Sequence, residues 1–428
     1  MKEVVIVEGL RTPYIKAGTL FKDLPAQELG RIAVSELLER TGIDRNLIDE
    51  VIIGNIAQPP EATNIARVIA LKSGIPRHVP AVTVARNCAS GMEAIAAAHL
   101  KIATGMADVI VAGGVESMSN IPILYPQEYG EVLAEAAKAK TMAQKIAAFA
   151  KMKPSYFKPV IGLQVGSTDP ICDLNMGETA EALAKEFDIS REQQDIFALM
   201  SHQRATQATD LGKLREEIVP VFPPPQYNTV VDEDNGIRKN QTIEALAKLK
   251  PVFDRYFGTV TPGNSSQITD GAAAVLMMSA EKAKALGYEP LGYIRSYAFA
   301  GLDPARMGLG PSLATPKALR LAGAAFKDIQ LIEINEAFAA QVIANEMVFR
   351  DAKLSQKWLG REEPIGEIDR DLLNVNGGAI ALGHPVGSSG TRLVLTLLKE
   401  MKRRDLNLGL ATLCVGGGQG AAMVVERK

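Results

Sequence analysis

The chain has 428 residues, with 47 Lys and Arg against 49 Asp and Glu, a formal net charge of −2 at pH 7, and 47% hydrophobic residues. At roughly 150 residues per domain, this length predicts two or three domains with a sizeable core, and the composition sets aside disorder, collagen and coiled coil. Near-neutral charge gives no electrostatic reason for nucleic acid to bind, no apolar run reaches the roughly 18 residues that span a bilayer, and the scattered cysteines (Cys88, Cys172, Cys414) and four histidines argue against a disulfide framework or a zinc site.

Met1-Lys2-Glu3 leads directly into Val4 to Val7, a first strand with no basic region before it and no small-residue cleavage site after it, so a cytoplasmic location is expected. A helix over Ala26 to Thr41 and strands over Glu50 to Ile53 and Ala81 to Ala85 follow. Cys88 then falls at a strand-to-helix turn, ahead of a helix over Met92 to Thr104 and a strand over Val109 to Ala112. A thiol at a helix N-terminus lies near free N–H groups and the positive dipole end, which favour thiolate and depress its pKa; a small buried hydrophobe is the plain alternative.

From about Asn120 to Gly258 the character changes, with Pro223-Pro224-Pro225, the polar run Asp232 to Gly236, and helices (Gly177 to Phe187, Arg191 to Leu211) without strong strands between them. We read residues 120–258 as an inserted subdomain between an N-terminal half, 1–119 plus 259–285, and a C-terminal half, 286–428. Within the insert, Glu131 to Lys153 is a basic amphipathic stretch in which Val132, Leu133, Met142, Ile146, Phe149 and Met152 alternate with five lysines. It reads either as a solvated face packed on its own domain or as a contact for a membrane surface or a partner protein.

The C-terminal half opens with a helix over Thr315 to Ala322 and a strand over Leu331 to Ile334, after a strand over Ala272 to Met278 that closes the first half. Asn335-Glu336 precedes a helix over Ala337 to Arg350, where Asn could be a plain N-cap. His384 lies between two Gly-rich turns, Gly377 to Gly390, ahead of a helix over Gly390 to Lys402; a helix N-terminus would keep its imidazole neutral. Cys414 ends a strand over Gly409 to Leu413 and opens Val415-Gly416-Gly417-Gly418, whose glycines do not follow a dinucleotide fingerprint and whose N–H groups could face an oxyanion, before a last strand over Ala421 to Val425. Cys88, Asn335 and Cys414 thus share the C-terminal strand edge where open α/β sheets bind ligands.

Two stretches repeat. The helix ending at Gly42 is followed nine residues later by Val51, and the helix ending at Gly323 nine residues later by Ile332. Ser90-Gly91, a helix and Val109 to Gly114 similarly echo Ser389-Gly390, a helix and Leu410 to Cys414. The repeat predicts two similarly folded, helix-covered sheets.

Arg86-Asn87-Cys88-Ala89-Ser90-Gly91, Asn335-Glu336-Ala337-Phe338, Gly377 through Gly390 and Cys414-Val415-Gly416-Gly417-Gly418 resemble, in order, the four motifs of the thiolase family. Met176 to Glu181, Ser201 to Ala205 and Thr259 to Ala274 add supporting matches. The resemblance covers essentially the whole chain. It implies a duplicated α/β/α/β/α fold with an inserted loop domain, and thiolytic cleavage of 3-oxoacyl-CoA or the reverse Claisen condensation, with biosynthetic acetoacetyl-CoA thiolase as the alternative. It implies Cys88 as nucleophile, His384 as its base, Cys414 as second acid/base, Asn335 as holder of an oxyanion water, the N–H groups of Cys88 and Gly416 as a second oxyanion site, and Ser266 as a contact of the CoA arm. CoA and acyl-CoA are expected as substrates, with no metal and no tightly bound cofactor, in a homodimer or homotetramer.

Gln267 replaces the Gly common after that Ser, and the segment from Asn120 to Asn175 is longer than in short-chain thiolases. The long insert, with Pro60 to Arg67 and Gly292 to Tyr297, is similar to the thiolase subunit of fatty-acid oxidation complexes, although that branch often has His where Asn335 stands. The resemblance therefore implies a hydratase/dehydrogenase partner subunit. Decarboxylating ketosynthases and hydroxymethylglutaryl-CoA synthases lack the second Cys, so Cys414 argues for thiolase, and a silent scaffold subunit would have lost a catalytic residue. His78, His99, His202 and Cys172 have no expected catalytic role.

Overall fold

Period-two alternation sorts the side chains of each strand into separate cores, and this sets the layer order of the computed structural model, which describes residues 1–428. The strands of the main sheet are β1 (Val4–Arg11), β2 (Glu50–Gly54), β3 (Ala81–Val84), β4 (Val109–Glu116), β5 (Thr269–Ser279), β6 (Gly292–Gly301), β7 (Leu331–Ile334), β8 (Leu408–Val415) and β9 (Gln419–Glu426). The helices that matter here are α1 (Ala26–Thr41), α2 (Ile65–Lys72), α3 (Ser90–Ala103), α4 (Gln127–Lys138), α5 (Met142–Phe149), α6 (Met176–Glu186), α7 (Arg191–Asp210), α8 (Gly310–Ala322), α9 (Ala339–Arg350) and α10 (Val386–Arg404).

Val5, Val51, Val111 and Leu276 point into one core with α1 and α2. Their neighbours Ile6, Ile52, Ile110 and Met277 point the other way, into a core built around α3 and α10 that also receives Leu413 and Met423 from the second half. Ile332, Leu410 and Val424 complete a third core with α8 and α9. The layers are therefore helix, sheet, helix, sheet, helix, the arrangement expected from the sequence, and α3 and α10 form the middle layer.

The sheet order β7-β8-β9-β6-β1-β5-β4-β2-β3 makes the duplication visible. Outward from the centre, the first half runs β1, β5, β4, β2 and β3, and the second runs β6, β9, β8 and β7, with Leu373 bridging Ile332 where a fifth strand would lie. The halves meet where β1 pairs antiparallel with β6 through Val5–Tyr293 and Ile6–Gly292. The spacing repeat has a structural counterpart: α1 and α8 end on left-handed Gly42 (φ 62°) and Gly323 (φ 65°), each followed by a short 3₁₀ turn and then a strand.

The segment expected as one insert is divided. Residues 121–168 form a compact unit of their own, whereas residues 169–258 group with the rest of the chain. The reason is burial: Leu183, Phe187 and Phe197 on α6 and α7 join the same core as α8 and α9, so these helices belong to the second layered half. In the separate unit α4 packs on α5, two-residue strands Ile123–Leu124 and Val160–Ile161 pair antiparallel, and Tyr129 sits 4.9 Å from Tyr125 and 5.6 Å from Phe157. The basic amphipathic stretch is two helices, since Ala139 turns extended and Thr141 caps α5 in a capping box with Gln144. Val132 is buried, while Leu133, Met142, Ile146 and Phe149 are exposed.

The middle layer holds the tightest approach. A Cβ added to Gly91 would lie 2.7 Å from the Thr391 amide nitrogen, and one added to Gly390 would meet the backbone of Met92. Only glycine permits the first turns of α3 and α10 to cross at this distance. We expect Gly390→Ala to lower stability by about 1–3 kcal/mol in urea unfolding through overpacking. Gly130→Ala, in α4 with open space around the added methyl, should be neutral or stabilise by up to about 1 kcal/mol. Equal effects of the two substitutions would contradict this account of the crossing.

Candidate active site

The crossing sets the site, because Cys88 lies just before α3 and the His384 loop just before α10. The turn carrying Cys88 is built by its own neighbours. Asn87 takes a left-handed conformation (φ 41°), Ser90 Oγ donates to the Asn87 carbonyl at 2.7 Å, and the Arg86 N–H donates to Ser90 Oγ at 2.8 Å. Asn87 Nδ2 then donates to the Gly416 carbonyl at 2.7 Å, which ties this turn to the β8–β9 hairpin. The Gly416 N–H and the N–H of Cys88 itself lie near enough to the Cys88 sulfur to favour its ionised form. The two groups expected to form an oxyanion site are thus brought together.

Cys88 remains partly exposed. Burial of its surroundings raises the thiol pKa, the two N–H donors work against that rise, and the Glu116 carboxylate adds to it. This corrects the expectation of a depressed value: the helix end supplies donors, but desolvation outweighs them. Cys414 is fully buried inside β8, with Val260, Met307, Ala337 and Phe338 around it. Desolvation, and the proximity of Cys88, push its thiol far up. Both sulfurs therefore rest as neutral thiols.

The His384 ring is buried and neutral, its pKa lowered to about 4 by desolvation and by the Arg392 guanidinium. Its Nδ1 lies 2.5 Å from Ser389 Oγ and its Nε2 lies 3.5 Å from Asn335 Nδ2. Asn335 is not an N-cap: α9 begins at Ala339 with Phe338 at the cap position, and the Asn335 side chain faces the imidazole, leaving its buried Oδ1 without a protein partner. Glu336 explains the other half of that motif. Buried, it accepts from Ser201 Oγ at 2.6 Å, Asn374 Nδ2 at 2.8 Å and the Ile380 N–H at 3.2 Å, anchoring the Gly-rich loop that leads to His384.

Ser266 is partly buried, and its N–H donates to the Ala337 carbonyl at 2.9 Å, which places its loop beside the Asn335 segment. Gln267 has a clear packing role: its Nε2 donates to the carbonyls of Gly236 (2.9 Å) and Ile380 (3.1 Å), and its carbonyl accepts the His384 N–H at 3.0 Å. Three residues given no role from the sequence also belong here. Asn87 and Ser389 are the first two, each inside a motif that drew attention to its neighbour. The third is Glu116, buried at the end of β4, which accepts from Asn55 Nδ2 and from the N–H groups of Ile56, Ala57 and Gly387, the last at 3.0 Å in the first turn of α10. Desolvation raises its pKa to about 7.

His202 accepts from the Arg238 N–H at 3.2 Å and His99 packs edge-on against Tyr297 at 5.4 Å, both structural contacts. The Cys172 N–H donates to Asp169 Oδ1 at 3.3 Å, in a loop away from the other sulfurs' contacts. No three or more His, Cys, Asp or Glu are grouped to hold a metal ion, and no helix is long and apolar enough to cross a membrane.

Two thiols, one neutral imidazole and converging N–H donors are the equipment of acyl transfer through a thioester. Comparison with known proteins agrees. Residues 4–281 match the thiolase N-terminal domain and residues 288–427 the thiolase C-terminal domain. The chain is 46% identical over 424 residues to 3-ketoacyl-CoA thiolases of Serratia proteamaculans (strain 568) and Yersinia pestis (strain Pestoides F), covering 99% of this chain and 96% of each relative. Among solved structures it resembles the Bacillus anthracis acetyl-CoA acetyltransferase (TM-score 0.87, 37% identity, 100% of this chain and 99% of that one). It also resembles human mitochondrial 3-ketoacyl-CoA thiolase in complex with CoA (TM-score 0.86, 35% identity, 100% and 98%). The chain belongs to the thiolase family and is an acyltransferase that uses CoA thioesters.

The lowered value at His384 has a consequence with a definite sign. The ring binds a proton only as pH falls through about 4, so it stays a free base across the neutral range. We expect the acid limb of kcat/KM for acyl transfer to lie below about pH 5. A half-loss near the ordinary imidazole value of about 6.5 would contradict a His384 held neutral by its surroundings.

Proposed function

We propose that this enzyme is a 3-oxoacyl-CoA thiolase in which Cys88 carries the acyl group. The observation that carries this reading is that the Gly416 and Cys88 N–H groups lie beside the Cys88 sulfur, with Cys88 close enough to Cys414 to raise that thiol's pKa. In cleavage, His384 Nε2 takes the Cys88 proton as the sulfur attacks the 3-oxo carbonyl carbon. The bond between C2 and C3 then breaks, its electron pair leaves as the enolate of acetyl-CoA, and Cys414 protonates that carbon. The thiol of a second CoA passes its proton to the Cys414 sulfur and attacks the acyl-Cys88 thioester, releasing the shortened acyl-CoA, and the Cys88 sulfur takes back the proton held by His384. Condensation is the same path reversed.

Each stage develops negative oxygen. The Cys88 and Gly416 N–H groups suit one such site. His384, while its Nε2 holds the proton taken from Cys88, suits the other, together with a water held by the free Asn335 Oδ1. Ser266 keeps the CoA-arm role that the family resemblance implies, in a loop held beside the Asn335 segment by its N–H on the Ala337 carbonyl. A reducing, cytoplasmic setting fits chemistry that needs both thiols unoxidised. A homodimer or homotetramer fits β3, which ends the sheet with Val82 exposed, an edge that a second copy can extend. The exposed Met142, Ile146 and Phe149 beside Lys138, Lys140 and Lys145 suit a hydratase/dehydrogenase subunit or a membrane surface; purification of this chain alone at native expression levels would count against such a subunit.

Cys88→Ser should abolish acetyl-CoA exchange and acyl labelling, a loss of at least roughly a thousandfold in kcat. Cys414→Ala should still accept the acyl label but fail to cleave or form the carbon–carbon bond. Full turnover by either variant would sink these assignments. Thiolysis of 3-oxoacyl-CoA substrates of increasing chain length separates a fatty-acid enzyme from the acetoacetyl-CoA alternative, which would act on the shortest one only.

A further inference from the structure

We propose that Ser389 is a positioning residue that fixes the tautomer of His384, holding the ring proton on Nδ1 and leaving Nε2 bare. The inference rests on the role of His384 as base set out above. Ser389 Oγ lies 2.5 Å from His384 Nδ1 and 3.1 Å from the Pro385 carbonyl, one helical turn back along α10. The carbonyl can only accept, so the hydroxyl proton is directed to it, in the back-bonding geometry common for Ser in a first turn. The hydroxyl lone pair then faces Nδ1, which donates.

The far side of the ring agrees. Nε2 faces the Asn335 amide nitrogen at 3.5 Å, and an amide nitrogen is donor-only. The reverse arrangement would turn the hydroxyl proton onto Nδ1, place the ring proton on Nε2 and set two N–H groups against one another. Ser389, His384 and Asn335 are all buried, so bulk water cannot repair a wrong pairing.

The choice of hydroxyl over carboxylate also fits the chemistry. A carboxylate on Nδ1 would stabilise imidazolium and hold the proton; a serine orients the ring without adding charge. With Arg392 close by, His384 stays a weak base that takes the Cys88 proton only transiently and returns it.

Four histidines in the chain make the tautomer directly observable. In protein labelled with ring-¹⁵N histidine, with the His384→Asn spectrum assigning the signal, ring shifts separate protonated from bare nitrogens. We expect protonated Nδ1 and bare Nε2 in the wild type at neutral pH. Wild-type protein with the proton on Nε2 would overturn the proposal, and this arm needs no variant to fold.

In Ser389→Ala we expect the Nε2–H tautomer to rise to a comparable or larger share, kcat to fall about tenfold, and KM for acyl-CoA to stay within about twofold, the scale of one buried hydrogen bond. A variant that keeps the wild-type tautomer overturns the proposal whether or not activity is lost, since loss without a tautomer change assigns Ser389 to packing. Wild-type protein with the expected tautomer but no 3-oxoacyl-CoA cleavage would instead remove the thiolase reading and leave the ring geometry standing.

Discussion

Everything at this centre depends on how closely two helices begin. The first turns of α3 and α10 cross at Gly91 and Gly390, in a middle layer where each helix has a sheet on either side. That contact brings a loop from each half of a duplicated chain to the same place. Neither half contains both thiols: Cys88 belongs to the first, and His384, Asn335 and Cys414 to the second. The two sheet halves join only through the short β1–β6 pairing, so the helix crossing and its shared core hold the Cys88 turn and the His384 loop in place. Glu116 reinforces it, since one buried carboxylate binds the first turn of α10 and the loop after β2 together.

A second theme is neutrality in a largely buried site. Burial raises both thiols and lowers the imidazole, so no resting thiolate–imidazolium pair is formed. In the reaction proposed above charge develops only transiently, beside the N–H groups of Cys88 and Gly416. Preorganised donors of this kind gain most in a low-dielectric setting, because they need no reorientation when the oxygen becomes negative. The same surroundings make Glu336 and Asn87 important far beyond their own hydrogen bonds. One fixes the loop leading to the imidazole, and the other ties the Cys88 turn to Gly416.

Much of this was legible in the sequence. The resemblance to thiolases implied the layers, the nine-residue repeat after Gly42 and Gly323 gave the duplication, and the motifs around Cys88, Asn335, His384 and Cys414 marked residues that the fold places at this centre. What escaped was set by contacts between distant segments. The sign of the Cys88 shift depends on desolvation in the folded chain and on the Glu116 carboxylate, which no local window contains. Asn335 resembled an N-cap because the helix was read as starting at Ala337, two residues early; the chain stays extended through Phe338, which bridges to Ser265. The insert was drawn too long because α6 and α7 lack intervening strands, yet Leu183, Phe187 and Phe197 bury themselves in the second half. Ser389 and Asn87 stood inside recognised motifs, but their partners, a ring nitrogen five residues back and a carbonyl 329 residues away, become visible only in three dimensions.

The central claim is that Cys88, and not Cys414, carries the acyl group between two CoA thioesters. Wild-type enzyme mixed with a 3-oxoacyl-CoA in the absence of free CoA should halt at the acyl-enzyme, and acid quenching followed by peptide mass mapping locates the thioester. The account predicts the acyl mass on the peptide containing Cys88, with Cys414 and Cys172 unmodified. An acyl group on Cys414, or acetyl-CoA release with no acylated peptide at all, would contradict it.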